Sequence, residues 1–181
     1  MNSGRVAIRY AKGFLKFGNQ NEISDRLYAD TLTLIHTLKE SVPLVELMEN
    51  PSVPFGQKEV VLRNVLSNSI HPSTLNFLNM MVKRGRFEYL LNSLFLFRDL
   101  YRKQNSIVEA QVESAENLGN EELQGIERLI SSKFNKKTEL SVTVKPELIA
   151  GFIVIVEGKI LNFSVSGQLL QFKKSLGLTL L

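Results

Sequence analysis

Residues 144–172, VKPELIAGFIVIVEGKILNFSVSGQLLQF, decide the fold of this chain. Pro146 marks a turn, and the apolar runs at 152–156 and 160–163 then read as two short strands joined by a tight turn at Gly158. Short apolar runs bounded by Gly and Pro are strand signals, and glycine supplies the positive φ that a two-residue hairpin demands. A closing helix is expected from about Val165. Gly151, Gly158 and Gly167 are read as turn or close-packing points, and nothing in the stretch is equipped for chemistry.

Working outward, residues 107–113 alternate, with Val108, Ala110 and Val112 on one side and Glu109, Gln111 and Glu113 on the other. That period of two predicts a half-exposed strand. Asn120 is expected to cap a helix bearing Leu123, Ile126, Ile130 and Phe134, and a polar turn at 135–138 leads to a second alternating strand through Leu140, Val142 and Val144. The order strand, helix, strand, strand, strand, helix predicts a small α+β domain, mixed sheet plus helices, over residues 106–181.

Before residue 105 the period is helical. Arg5, Arg9, Lys12 and Lys16 fall on one narrow face of a first helix, while Val6, Ala7, Tyr10, Ala11, Phe14, Leu15 and Phe17 spread around much of the rest. This arc is wider than the ~100° stripe that seats a helix on its own core, so the helix is either central or has a second partner. Asn21 is expected to cap a second helix with Leu27, Thr31, Leu34 and Leu38 inward, and Pro43 and Asn50-Pro51 bound a short third near 44–48. Residues 55–66 read as a fourth, burying Val61, Leu62, Val65 and Leu66. Ser73 is expected to cap a fifth carrying Leu75, Leu78, Met81 and Val82 inward, with Gly85 as its left-handed stop. A last long helix follows from Phe87 to about residue 103. Residues 1–105 are thus an all-α helical bundle of five or six helices.

The totals fit a folded two-domain chain. Of 181 residues 44% are hydrophobic and 22% charged, and the net charge of +4 comes from 22 basic residues interleaved with 18 acidic ones. No cysteine is present, which removes disulfide, thiolate and Cys-metal chemistry. The longest apolar run, 150–156, is far short of the roughly 20 residues that span a bilayer.

Catalytic and cofactor signatures are not visible. Gly151 and Gly158 enclose six residues, and Ile160 follows Lys159, so the phosphate-binding pattern GxxxxGK[ST] is not met. His36 and His71 read as surface or cap residues without metal-binding partners at helical spacing, and Glu121-Glu122 as acids at a helix start. The reading is a non-enzyme with no catalytic residues, no cofactor and no metal. Lys83, Arg84 and Arg86 beside Phe87 and Tyr89 form the best basic cluster, and helix capping explains it as well as nucleic acid does.

The motifs resemble one family. Arg9-Tyr10-Ala11-Lys12, Asn50-Pro51, Asn76-Phe77-Leu78 with Gly85-Arg86-Phe87, Ser114-Ala115, Leu148-Ile149-Ala150-Gly151 with Gly158, and Ser164-Val165-Ser166-Gly167-Gln168-Leu169 are similar, in order, to the delta subunit of F-type ATP synthase. Its mitochondrial counterpart is the oligomycin-sensitivity-conferring protein. Ala150, Asn162, Ser166 and Gly13 depart from the family pattern, and Asn162 with Ser166 removes an expected ion pair.

The resemblance implies a stator subunit of the peripheral stalk supporting proton-driven ATP synthesis. Its helical domain would bind amino-terminal helices of alpha subunits on the catalytic head, and its α+β domain the b subunit. A groove beside the first and fifth helices, lined by Ala7, Tyr10, Ala11, Phe14, Leu78 and Met81, is the expected alpha site. One copy per complex is implied, peripheral to the cytoplasmic face of a bacterial plasma (inner) membrane, with no nucleic acid bound and no room for a cleavable leader. Alternative readings are an unrelated helical protein–protein adaptor and a small basic RNA-binding bundle.

Overall fold

The computed structural model describes residues 3–165 and divides the chain after Gln104 into two compact units. The first contains six helices among the described residues: α1 Ser3–Gln20, α2 Ser24–Glu40, α3 Val42–Glu49, α4 Phe55–Leu66, α5 Pro72–Lys83 and α6 Leu90–Gln104, with a 3₁₀ turn at Phe87–Tyr89 before α6. Phe97, Leu94, Leu90, Leu27 and Leu34 are fully or almost fully buried at its centre, where α6 lies against α1 and α2. Phe14 stacks on Phe77 at 4.2 Å and approaches Phe97 at 4.9 Å, while Tyr28 stacks on Tyr101 at 4.1 Å. Polar edges are satisfied too: Tyr101 donates to Asp25 and Arg102 to Tyr28, each at 2.8 Å. The side-chain amides of Asn19 and Gln104 pair reciprocally at 2.9 and 3.1 Å, pinning the end of α1 to the end of α6.

Helix boundaries follow local chemistry, though not always through the expected residue. Asn21 does not cap α2; its side chain donates back to the Phe17 carbonyl and closes α1. The cap of α5 is His71, whose Nδ1 accepts from the Ser73 N–H, with Pro72 in the first turn where its missing N–H costs nothing. Gly85 takes φ +61°, and the N–H groups of Gly85 and Arg86 return to the carbonyls of Val82 and Met81. That is the Schellman arrangement expected of a glycine stop. Val65 is exposed rather than buried, since α4 is anchored through Leu62, Leu66 and the stem of Lys58, whose ammonium donates to the Met48 carbonyl at 2.8 Å.

The second unit contains β1 Ile107–Ser114, α7 Asn120–Phe134, β2 Lys137–Val144, a 3₁₀ turn at Pro146–Leu148, β3 Phe152–Val156 and β4 Lys159–Asn162. The sheet order is β2-β1-β3-β4, with β1 parallel to β2 and antiparallel to β3. Val108, Ala110 and Val112 lie in register with Thr138, Leu140 and Val142 on one side, and Val112 and Ala110 with Val154 and Val156 on the other. This face packs on Ile126 and Ile130 of α7. The residue flanking α7 is Gly119, not Asn120, and its N–H donates to Glu122 Oε2 at 2.7 Å.

The two glycines around β3 differ in purpose. Glu157 and Gly158 take φ +47° and +75° between β3 and β4, the two positive values of a tight hairpin. Gly151 takes φ +85°, and a Cβ there would lie 2.4 Å from the Phe163 carbonyl oxygen. Backbone bonds from Ala115 to Gly151 and from Val165 to Ala150, both 3.0 Å, draw three segments together at that point. The fold class is therefore the expected one: a helical unit, then a small α+β unit with a mixed sheet. Gly167, Ser166 and the expected closing helix beyond Val165 lie outside the described residues.

Candidate partner-binding cleft

α1 gives one face to the core and leaves another uncovered. Ala7, Ala11 and Phe14 are buried, whereas Ile8 and Phe17 are exposed at 43% and 42%. Between α1 and α5 lies a cleft of about 500 Å³ lined by Arg9, Tyr10, Gly13, Phe14 and Phe17 from α1 and by Ser73, Asn76, Phe77 and Met80 from α5. Its lining is mostly apolar, and its aromatic floor is the Tyr10–Phe77–Phe14 group.

Of the six residues expected to line this groove, only Tyr10 and Phe14 do so. Ala7, Ala11, Leu78 and Met81 are no more than 1% exposed and belong to the core behind it. The displacement is small and physical: on α5 the cleft face runs through Phe77 and Met80, one residue before Leu78 and Met81, about 100° around the helix. Gly13 and Phe17 were accessible to sequence reasoning, because an apolar arc too wide for one core must show its excess at the edge.

One end of the cleft is electrostatically distinctive. Arg86 donates from Nη1 to the Tyr10 hydroxyl at 2.8 Å and lies 5.8 Å from its ring centroid. Burial pushes the Tyr10 phenol up, but the hydrogen bonds and charges of Arg86 and Arg84 outweigh it and hold the pKa below the usual tyrosine value. Arg86, one third of the expected basic cluster, is thereby committed to α1. Lys83 and Arg84 are exposed beside it.

Chemistry of other kinds has little support in the geometry. Among the described residues no three His, Cys, Asp or Glu side chains gather as metal ligands. His36 does have a carboxylate one turn on, contrary to expectation: Nδ1 lies 3.0 Å from Glu40 Oε2, but both side chains are well exposed and no third ligand joins them. Gly158-Lys159 is the hairpin between β3 and β4, and Lys159 sits 5.7 Å from the Phe134 ring centroid. Asn162 is answered locally, its Oδ1 accepting from the backbone N–H and the hydroxyl of Ser164 at 2.9 and 2.7 Å.

The second unit also keeps uncovered apolar surface. Leu129, Val142, Val144, Ile149, Ile160 and Phe163 are exposed, and an apolar hollow of about 390 Å³ opens between α7 and β3 beside Leu118 and Phe163. No helix among the described residues is long and apolar enough to cross a membrane.

Comparison with known proteins follows nearly the whole length of the chain. The profile of the family described as ATP synthase delta (OSCP) subunit matches residues 6–176. ATP synthase subunit delta of Synechococcus elongatus is 33% identical over 172 residues, covering 92% of this chain and 93% of the relative. The chloroplastic ATP synthase subunit delta of Emiliania huxleyi is 32% identical over 174 residues, covering 96% and 97%. A chain of the cryo-EM structure of the Toxoplasma gondii mitochondrial ATP synthase hexamer superposes with a TM-score of 0.67 at 20% identity, covering 99% of both chains, a likeness of fold.

Proposed function

The chain belongs to the ATP synthase delta (OSCP) subunit family, and on that premise we infer that it is a non-catalytic stator subunit in the peripheral stalk of an F-type ATP synthase. The family match over residues 6–176 carries this conclusion. The subunit acts mechanically, resisting rotation of the catalytic head so that proton flow is coupled to ATP synthesis.

In this reading the two units are two clasps. The helical unit, residues 1–105, holds the catalytic head by taking an amino-terminal helix of an alpha subunit into the α1–α5 cleft, and the α+β unit, residues 106–181, holds the b subunit. An apolar trough between two helices suits an amphipathic helix anchored at i, i+3, i+4 and i+7. Tyr10 and Phe14 contact the guest, while Ala7, Ala11, Leu78 and Met81 keep the two walls in position from behind. The exposed apolar residues of the second unit support its use as the stalk-facing partner. The complex contains one copy, which reaches the cytoplasmic face of a bacterial inner membrane through its partners. A clasp under torque needs slow dissociation, and differences between related complexes lie mostly in the off-rate.

Membrane vesicles stripped of the subunit and then resupplied with the purified full chain provide the test. ATP-driven proton pumping should be lost on stripping and restored on addition, with alpha and b subunits co-purifying on the tagged chain. Failure to rebind stripped vesicles, or rebinding without b, would contradict the assignment.

A further inference from the structure

The cleft is bordered by charge of one sign. Its two helices, SGRVAIRYAKGFLKFGNQ and PSTLNFLNMMVK, contain no Asp or Glu, while α1 has Arg5, Arg9, Lys12 and Lys16. At 100° per residue these four occupy one narrow strip, and Arg9 itself lines the cleft, with Gly13 and Phe17 next around the helix. All four are exposed. They form a row about 16 Å long on the rim of an apolar trough.

The row has no internal answer. Several cations elsewhere on the surface find carboxylates: Arg26 with Asp30, Arg63 with Glu59, Arg98 with Asp99, Lys145 with Glu113. None of the four α1 cations has such a partner among the described residues. Like charges one helical turn apart repel and weaken the helix that bears them. An apolar floor beside an unanswered cationic rim is complementary to one kind of guest.

We propose that the helix seated in the α1–α5 cleft carries, beside its apolar stripe, a row of carboxylates at one-turn spacing that faces Arg5, Arg9, Lys12 and Lys16. This rests on the reading of the cleft as a helix-binding site and specifies the chemistry and orientation of the guest. The apolar stripe fills the trough; the acidic flank lies over α1, not over the uncharged Ser73–Asn76 side of α5. Rim charges of this kind act mainly on encounter, steering the guest and fixing its register, while the buried apolar contacts govern escape.

The test uses the full chain and a synthetic peptide of the amino-terminal helix of the alpha subunit from the same synthase, followed by stopped-flow fluorescence. With wild type, the association rate should fall roughly tenfold between about 50 and 300 mM salt. The Arg5→Gln, Arg9→Gln, Lys12→Gln, Lys16→Gln variant, its fold checked by circular dichroism, should associate about tenfold more slowly at low salt and lose most of that salt dependence, with its off-rate changed less than about threefold. A peptide with its carboxylates converted to amides should reproduce the same loss on wild type. Peptide binding that is indifferent to salt and to the four substitutions would overturn this inference while leaving the cleft as a helix site. No peptide binding at any salt would overturn the helix-site reading and this inference together. Binding of an RNA oligonucleotide or anionic vesicles that the four substitutions abolish, with peptide binding unmoved, would also overturn it.

Discussion

The hydroxyl of Thr74 in α5 donates a 2.6 Å hydrogen bond to the carboxylate of Asp30 in α2, across 44 residues of chain. Asp30 is 2% exposed, and the same oxygen accepts the His71 N–H at 2.7 Å while the other meets Arg26 Nε at 3.2 Å. A buried carboxylate in the helical core thus finishes the amino-terminal turn of α5. It sets where one wall of the cleft begins.

Asp30→Ala should destabilise the helical unit by about 3 kcal/mol, because it leaves a part-buried N–H and a buried hydroxyl without an acceptor. Asp30→Asn keeps one oxygen for both donors and gives up only the pairing with Arg26, whose side chain is 55% exposed. Screened pairs are weak, so its cost should be about 1 kcal/mol. Urea denaturation distinguishes the two, and equal losses would mean that the ion pair rather than the α5 junction holds Asp30.

Gly151 and Gly158 both need positive φ, but only Gly151 lacks room. Gly158→Ala should cost about 1–2 kcal/mol, the left-handed penalty alone. Gly151→Ala adds a collision with the Phe163 and Ser164 backbone and should cost more than about 3 kcal/mol, lowering the melting temperature of the second unit much further. Comparable melting temperatures for the two variants would show that the 163–165 segment yields easily.

A bulky residue at Gly13 should block the cleft without harming the fold. An added Cβ at Gly13 meets nothing within 4 Å, and the position lines the cleft. Gly13→Trp should therefore abolish binding of the alpha peptide by titration calorimetry while thermal stability holds or rises slightly, since Gly is a poor helix former. Ala11→Glu, by contrast, buries a charge at a position 1% exposed and should unfold the helical unit.

Tyr10 should ionise below the usual tyrosine range and before Tyr89. Its pKa is lowered in the folded protein, so its contribution to stability is absent below the folded pKa, grows as pH rises through it and is complete above the unfolded value. Tyr89 moves the other way, through its hydrogen bond to Glu88. In an alkaline titration followed at the phenolate band, Tyr10→Phe should remove a step lying below the usual tyrosine range and Arg86→Gln should move that step upward. A Tyr10 step that Arg86→Gln leaves in place would detach Arg86 from the phenol.

Much of the fold was legible locally. Gly85 and Gly158 announce a helix stop and a hairpin because only their backbone freedom suits those turns, and the change of period near residue 105 separates helices from strands. The caps were less secure: His71 and Gly119 do what Ser73 and Asn120 were placed to do, because a cap depends on where the first turn settles, and a shift of one or two residues exchanges the candidates.

The sequence by itself determined the two-unit plan, the turn glycines and the family likeness, since short-range propensity, hydrophobic period and motif order all reside in neighbouring residues. Only the tertiary structure decided that β1 sits between β2 and β3, that Asp30 serves α5, and that Ala11 and Met81 are core while Gly13 and Met80 line the cleft. Those facts depend on which distant surfaces meet. A periodic pattern defines an apolar stripe, but the partner that covers part of it fixes, to within one residue, which side chains are left facing the cleft.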